Sequence, residues 1–229
     1  MIRKPWLMTQ EWHDVLFLHW PVSPDVIRKH IPMELELDLY NNMAWVGFVF
    51  FKVKGNRPRL IPPVPVVGSF LELNIRTYVT YKGRKGIHAF SLNASNSLIV
   101  KLTTICNFLP YQYSKVSLKR HKKMFTYSLT REMNLSETMV TTFQVVSKPI
   151  ESNHFEQWLT ERYHLWTKLK HQLYRIDTSH SPWKLQHVTG TILEHTMAPF
   201  LQTDFQTVSP VAHYSKMKKA RFFAPVKEY

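Results

Sequence analysis

Between residues 69 and 83 the sequence reads SFLELNIRTYVTYKG, which sets a carboxylate, an amide, a guanidinium and a phenol at every second position: Glu72, Asn74, Arg76 and Tyr78. Side chains of a strand alternate between its faces. If this stretch is a strand, the four polar groups point one way and Leu71, Leu73, Ile75, Thr77, Val79 and Tyr81 point the other. The types define a chemistry. A guanidinium holds a carboxylate or phosphate through two parallel N–H···O bonds, which an ammonium does not do. A carboxyl removed from water has a raised pKa and can exchange a proton near neutral pH. Alternate residues lie ~6.6 Å apart, so Glu72 and Arg76 are separated by ~13 Å and do not pair along the strand. Each needs a cross-strand partner, water or a ligand. The pattern alone fits two settings, the solvated face of an antiparallel sheet or the wall of an internal hollow.

A second polar and aromatic cluster lies in YRIDTSHSPWKL, where Tyr174, Arg175, His180 and Trp183 could form another wall of a site. The same residues fit a structural role, with Trp183 packed, Pro182 shaping a turn and His180 bonded to backbone. His19 and His88 read as satisfied core or strand histidines. His164, His171, His180, His187 and His195 show no i, i+4 pairing and no carboxylate in a familiar ligand spacing, so no metal or other cofactor is expected. Cys106 is the single cysteine; no intrachain disulfide can form, and its apolar context TTICNFLPY reads as a buried, inert thiol. No GxSxG elbow, phosphate loop or dinucleotide fingerprint occurs.

Stepping outward, the chain has 229 residues, 44% hydrophobic and 14% aromatic, which describes a globular protein. No apolar run approaches the ~20 residues needed to cross a bilayer. The start MIRKPWLMTQEWHD lacks a secretory h-region, and a cytoplasmic location without membrane association is expected. The formal net charge of +14 concentrates at 52–59, 115–123 and 216–221. These runs read as solvated loops and a basic tail. They bear no helix-turn-helix, zinc-finger or RNA-binding aromatic signature, so nucleic acid is not the expected partner.

The elements that would position the row are mostly strands. SPDVIRKHIP is a helix signal, with Ser23 to cap, Pro24 at the first position and Pro32 as a stop. DVLFLHWPV, MELELDLY, MAWVGFVFFKV, NSLIVKLTTICNF, KMFTYSLTREM, ETMVTTFQVVS and GTILEHTM read as strands, and 76–92 as a hairpin turning through Lys82–Gly86. The prolines of RPRLIPPVPVVG exclude a central strand. The segment 152–176 carries helical spacing at Phe155, Trp158, Leu159, Arg162, Tyr163, Trp166, Leu169 and Leu173, with Ser152 as the cap, yet RYHLW and QLYRIDTSH also suit strands.

WHDVLFLHWPV (12–22), AWVGFVFF (44–51), PPVPVVGSFLELNIRTYV (62–79), FLPY (108–111), LTERYHLW (159–166) and LYRIDTSHSPWKLQ (173–186) together resemble the YqjF-like family, domain of unknown function 2071. That family is similar in fold to acetoacetate decarboxylase. The resemblance implies a single α+β, mostly β domain over 1–229: an antiparallel β-cone or incomplete barrel with a central cavity and one or two peripheral helices. It replaces the long helix by a short one at 153–161 and a strand pair at 163–178. It also turns the polar row toward the cavity. FLE stands where the decarboxylase carries its active-site carboxylate, which implies Glu72 for proton transfer, with Tyr111 as a hydroxyl donor where the lysine is missing. Tyr111 and Gln112 stand at the catalytic lysine positions. Schiff-base chemistry requires a free amine, so acetoacetate decarboxylase activity is not expected. A loosely aligned active-site arginine falls on His13. The implied ligand-binding set is His13, Asn74, Arg76, Tyr78, Arg175, His180 and Trp183. The reading is a pocket for a small anionic or oxygenated organic molecule, with or without catalysis. A basic module for nucleic acid or an anionic surface, and an interaction protein with a vestigial pocket, stay open as alternatives.

Overall fold

The computed structural model describes residues 5–60, 68–106, 108–131 and 137–229, the side chains of 104–106 excepted. The Cys106 thiol and most of the proline-rich segment after Pro58 lie outside the described residues.

The first strands carry the core. Strand β1 (Trp6–Val22) is followed by helix α1 (Pro24–Arg28) and a short β2 (Glu36–Leu37). Strand β3 (Ala44–Pro58) is apolar from Ala44 to Phe51, where both of its faces are covered. Val46, Phe48 and Phe50 enter one cluster with Leu16, Leu18, Trp20, Leu73 and Ile75, whereas Val49, Phe51 and Val53 enter another with Val15, Phe17 and Phe70. Strands β4 (Ser69–Tyr81) and β5 (Arg84–Ala94) form the hairpin, with Lys82 and Gly83 both at positive φ in its tight turn.

Next come α2 (Ser97–Cys106), β6 (Tyr111–Tyr113), β7 (Lys115–His121), β8 (Met124–Arg131), β9 (Glu137–Val145), α3 (His154–Thr160), β10 (His164–Leu169), β11 (Gln172–Ser179), β12 (Gln186–His195), β13 (Val211–Phe223) and β14 (Val226–Lys227). They join in a 14-stranded sheet. Within it, β11, β10, β5, β4, β3, β1 and β13 succeed one another, and a β13–β11 contact at Thr178–Phe222 and Ser179–Arg221 closes the ring. Closure is irregular, since β10 meets β5 through only Leu165–Ile87 and Trp166–His88. Strands β12, β9, β8 and β7 extend from β13 as a flap whose inner side, Phe125, Tyr127, Met139 and Phe143, joins the larger core. The mostly β architecture is therefore present as an incomplete ring.

Several elements differ from the sequence expectation. NSLIVKLTTICNF is α2 and not a strand. Asn96 Oδ1 accepts the N–H groups of Leu98 and Ile99 at 3.0 and 3.2 Å, and the Thr103 hydroxyl folds back on Ile99 O and Val100 O. A good N-terminal cap and back-bonding overrule the β-branched composition. MELELDLY contributes only Glu36 and Leu37 to the sheet; Asn41 and Asn42, both at positive φ, turn the chain directly afterwards. The long helix of 152–176 is divided as the resemblance implied, and its cap is Asn153, not Ser152: Asn153 Oδ1 accepts Glu156 N–H while Glu156 Oε2 accepts Asn153 N–H. The basic runs 115–123 and 216–221 are neither loops nor tail but lie mostly in β7 and β13, with the charges on exposed sides, except for the buried Lys218.

Candidate functional site

The polar row of β4 faces the protein, not bulk water. Across the ladder Glu72 lies opposite Phe51 and Ala94, Asn74 opposite Val49 and Leu92, and Arg76 opposite Gly47 and Ala89. Small residues thus flank the bulkiest member of the row. A Cβ on Gly47 would come within 3.1 Å of both His19 Cδ2 and Tyr78 Oη, so the missing side chain is what lets those two groups approach beneath Arg76.

Glu72 is 4% exposed. Burial pushes its pKa up to about 8, opposed by a hydrogen bond from Tyr111 Oη to Glu72 Oε2 at 3.2 Å. Tyr111 arrives on β6, which runs parallel to β5 with Tyr111 beside Leu92. Its own pKa is driven well above the ordinary phenol value by burial and then by the Glu72 charge. At neutral pH the pair is a neutral acid next to a neutral phenol. Gln112 turns away and accepts from Arg131, which also pairs with Glu137.

Arg76 lies deep in the protein, yet its side chain keeps some accessible surface. Its guanidinium carbon sits 6.0 Å from the Phe17 ring centroid. Burial lowers its pKa and the neighbouring Tyr78 hydroxyl supports the charge; among the described residues no carboxylate pairs with it. Around it stand the buried, unpartnered Asn74 Oδ1, Arg76 Nε and Arg162 Nη2, while the Tyr78 hydroxyl turns toward the Arg76 guanidinium and the His19 ring toward the Val211 backbone. His19, expected to be a satisfied core histidine, is fully buried and held neutral by burial and then by the Arg76 charge. His88 does meet that expectation, with Nδ1 3.0 Å from Trp166 O. Arg162 closes the far end. Its Nε donates to Trp158 O at 2.6 Å, Nη1 pairs with Asp38, and its guanidinium lies 4.9 Å from the Tyr78 ring.

The HSPW segment supplies one wall. Trp183 Nε1 donates to Thr160 O at 3.0 Å, and its ring meets Trp12 face to face at 6.0 Å and Phe17 edge-on at 4.9 Å. His180 bonds to Ser181 O and packs on Tyr163, Trp183 and Trp12. Lys218 Nζ, buried, donates to Ser181 Oγ at 3.1 Å and Pro182 O at 2.6 Å, pinning the segment in place.

Two members of the sequence-based set are not brought to this face. A bulge at Asp14, φ 51°, shifts the β1 register against β3, so that His13 aligns with Lys52, itself opposite Leu71 on the other side of the sheet. His13 Nε2 instead lies 3.2 Å from Glu11 Oε2. Arg175 is bound to Asp177 at 2.6 Å and to Glu228, and Tyr174 packs on Phe108. Conversely His19, Gly47, Asp38 and Arg162 belong to the site without having been expected there. Gly47 had a sequence signal, a lone glycine inside an apolar strand, which marks a close approach. The open clefts at the surface, one along Ser114–Ser117 and one between His30, His88 and Thr167, do not include the row.

Over residues 9–219 the chain matches the DUF2071 family, described as an uncharacterized conserved protein. It is 36% identical over 220 residues to the uncharacterized protein YqjF of Bacillus subtilis (strain 168), covering 95% of this chain and 91% of that one. Among solved structures it is similar to an acetoacetate decarboxylase from Legionella pneumophila, TM-score 0.67 at 14% identity, covering 100% of this chain and 90% of that one. It is also similar to the enduracididine biosynthesis enzyme MppR complexed with pyruvate, TM-score 0.65 at 14% identity, covering 99% and 91%. At these identities the likeness shows the fold.

Proposed function

This chain belongs to the DUF2071 family, and we propose that it binds a small organic anion, a carboxylate-bearing molecule, in an enclosed hollow against the β4 row. The observation that carries the reading is the Arg76 guanidinium, deep in the protein and with no carboxylate partner among the described residues, faced by the Tyr78 hydroxyl and near the unpartnered Asn74 Oδ1 and Arg162 Nη2. An uncompensated buried charge costs several kcal/mol, and natural proteins retain one where it meets a ligand. Arg76 holds the carboxylate. Tyr78 Oη and Arg162 Nη2 offer donors to its oxygens. Glu72, protonated at neutral pH, and Tyr111 reach only a ligand long enough to span the ~13 Å between Glu72 and Arg76 along the strand, and there they act as acid and hydroxyl donor. That MppR is known in complex with pyruvate supports the ligand class, because the two proteins share the fold. Chemistry at the site proceeds without a lysine imine, since Tyr111 and Gln112 occupy the corresponding positions.

Thermal-shift and calorimetric measurements with pyruvate, acetoacetate and short dicarboxylates, each beside its amide analogue, test this. The acids raise the melting temperature of the natural protein and the amides do not. In Arg76→Met the shift is lost while the fold persists by circular dichroism. Equal binding of acids and amides, or an undiminished shift in Arg76→Met, overturns the assignment.

A further inference from the structure

Glu156, His187 and His213 come together from three elements that are far apart in the sequence. His187 on β12 and His213 on β13 are directly opposed in the ladder, so both imidazoles project from the same side of the sheet. Their ring centroids are 5.8 Å apart. Helix α3 lowers a carboxylate onto them: Glu156 Oε1 lies 3.1 Å from His213 Nε2. One ligand atom from each of the three residues falls within 4.8 Å of the other two.

We propose that these three side chains form a binding site for a divalent transition-metal ion of the zinc class. Two imidazoles and one carboxylate, with no thiolate, suit zinc and its first-row neighbours and not calcium or magnesium. Tetrahedral ligands at ~2.0–2.1 Å from zinc are ~3.3 Å from one another. The Glu156–His213 separation of 3.1 Å already meets that spacing. His187 is exposed, so its ring closes the remaining gap by a small χ adjustment. Backbone and helix-cap contacts hold the segments that carry these ligands, and His213 lacks the ring N–H partner usual for a metal-ligating histidine. The second Glu156 oxygen is fixed by Asn153 N–H at 2.8 Å. His187 N–H is held by Ser147 Oγ at 2.8 Å, and its carbonyl accepts from Val146 N–H at 3.0 Å. His213 Nδ1 is buried and bonded to nothing, so no other contact dictates the ring's tautomer.

Three protein ligands with one on the exposed side leave coordination positions open to water or to an anion, the arrangement of reactive zinc sites rather than of closed structural ones. His213 is the cross-strand neighbour of Phe17, whose ring borders Arg76. The ion would therefore sit next to the buried polar row without sharing a ligand with it. The competing arrangement is a Glu156–His213 hydrogen bond that fastens α3 to the sheet, with His187 an incidental neighbour.

Tag-free full-length protein, stripped with a chelator and titrated with Zn²⁺ and Co²⁺, distinguishes them. One equivalent binds, and the Co²⁺ form shows the visible absorption of a four- or five-coordinate site. In His187→Ala affinity falls ~100-fold or more, beyond the ~10–100-fold cost of outer-shell changes, while the metal-free melting temperature stays within a degree or two because an exposed ring is removed. Glu156→Gln weakens binding comparably. Absence of stoichiometric binding, or unchanged affinity in His187→Ala, overturns the site and leaves the Arg76 reading to stand or fall on its own ligands.

Discussion

Tyr111 Oη donates to Glu72 Oε2 across 3.2 Å, joining β6 to the polar row of β4 at the end away from Arg76. The hydrogen bond favours the ionised carboxylate, while burial disfavours it and dominates, so the Glu72 pKa stands at about 8 against an ordinary 4.5. The folded protein therefore binds a proton between those values that the unfolded chain releases. By linkage its stability falls as pH rises from 4.5 toward 8 and levels off above. At ~1.4 kcal/mol per pH unit the ceiling of the effect is about 5 kcal/mol. Glu72→Gln, neutral throughout, removes this slope. Denaturant melts should give equal stability for the two proteins near pH 4.5 and a variant more stable by a few kcal/mol near pH 8. Tyr111→Phe removes the one contact that lowers the Glu72 pKa, so the carboxyl should titrate at still higher pH. A Glu72 carbon resonance titrating near 4.5 in either protein would contradict the burial argument.

Arg76 ties stability to binding in the opposite sense. Replacing a largely desolvated charge that has no carboxylate partner by an apolar chain of similar length removes a desolvation penalty and is expected to stabilise the unliganded protein by about 1–3 kcal/mol. For a chain of this size that raises Tm by roughly 2–10 °C. Arg76→Met should therefore melt higher than the natural protein in plain buffer and lower than it in saturating carboxylate. A variant that melts lower under both conditions would make Arg76 a structural residue.

The sequence carried the row itself because a strand's alternation is a local property: Glu72, Asn74, Arg76 and Tyr78 could be assigned to one face before any fold was known. Which way that face points is not local. It depends on β3 and β5 presenting Gly47 and Ala89 beside Arg76, and on α3 and the HSPW segment covering the other side. His13 was misplaced for a related reason. A single bulge at Asp14 reverses the parity of β1, and nothing in WHDVL announces it. It also brings Trp12, not His13, onto Trp183. In α2 the local signal is the Asn96 cap, which outweighs the strand preference of the β-branched run that follows it. The Glu156, His187 and His213 cluster is invisible in one dimension, since it exists only where β12, β13 and α3 meet.

Gly47 provides a steric test of how closely the site is fitted. Its φ is unremarkable, so alanine brings no backbone strain, only a methyl group 3.1 Å from His19 Cδ2 and Tyr78 Oη. Those side chains must yield by a few tenths of an ångström. Gly47→Ala should cost about 1 kcal/mol in stability and weaken carboxylate binding by roughly ten-fold or more, as Tyr78 Oη is pushed from its position beside Arg76. Gly86→Ala is the contrasting case. Its methyl would fall 2.3 Å from the His164 carbonyl oxygen and 2.4 Å from the Trp166 ring, which β10 cannot relieve. That variant should lose several kcal/mol or fail to fold. If the two variants behave alike in chemical melts, Gly47 has no special place in the site.

Imine chemistry is not expected at the proposed site. Imine formation needs an uncharged primary amine within reach of the bound carbonyl. At the positions expected from the family resemblance to match the decarboxylase lysines stand a phenol and an amide, and Tyr111 is engaged with Glu72 while Gln112 is engaged with Arg131. Lys218 is the buried amine nearest the HSPW wall, and burial lowers its pKa, but its Nζ is committed to Ser181 Oγ and Pro182 O. Incubation with pyruvate or acetoacetate and borohydride should therefore leave the intact mass unchanged at pH 7 and at pH 9, with no release of carbon dioxide from acetoacetate above background. An adduct mapped to Lys218 would mean that the HSPW segment opens to free an amine, and the acid and donor roles proposed for Glu72 and Tyr111 would have to be rebuilt around it.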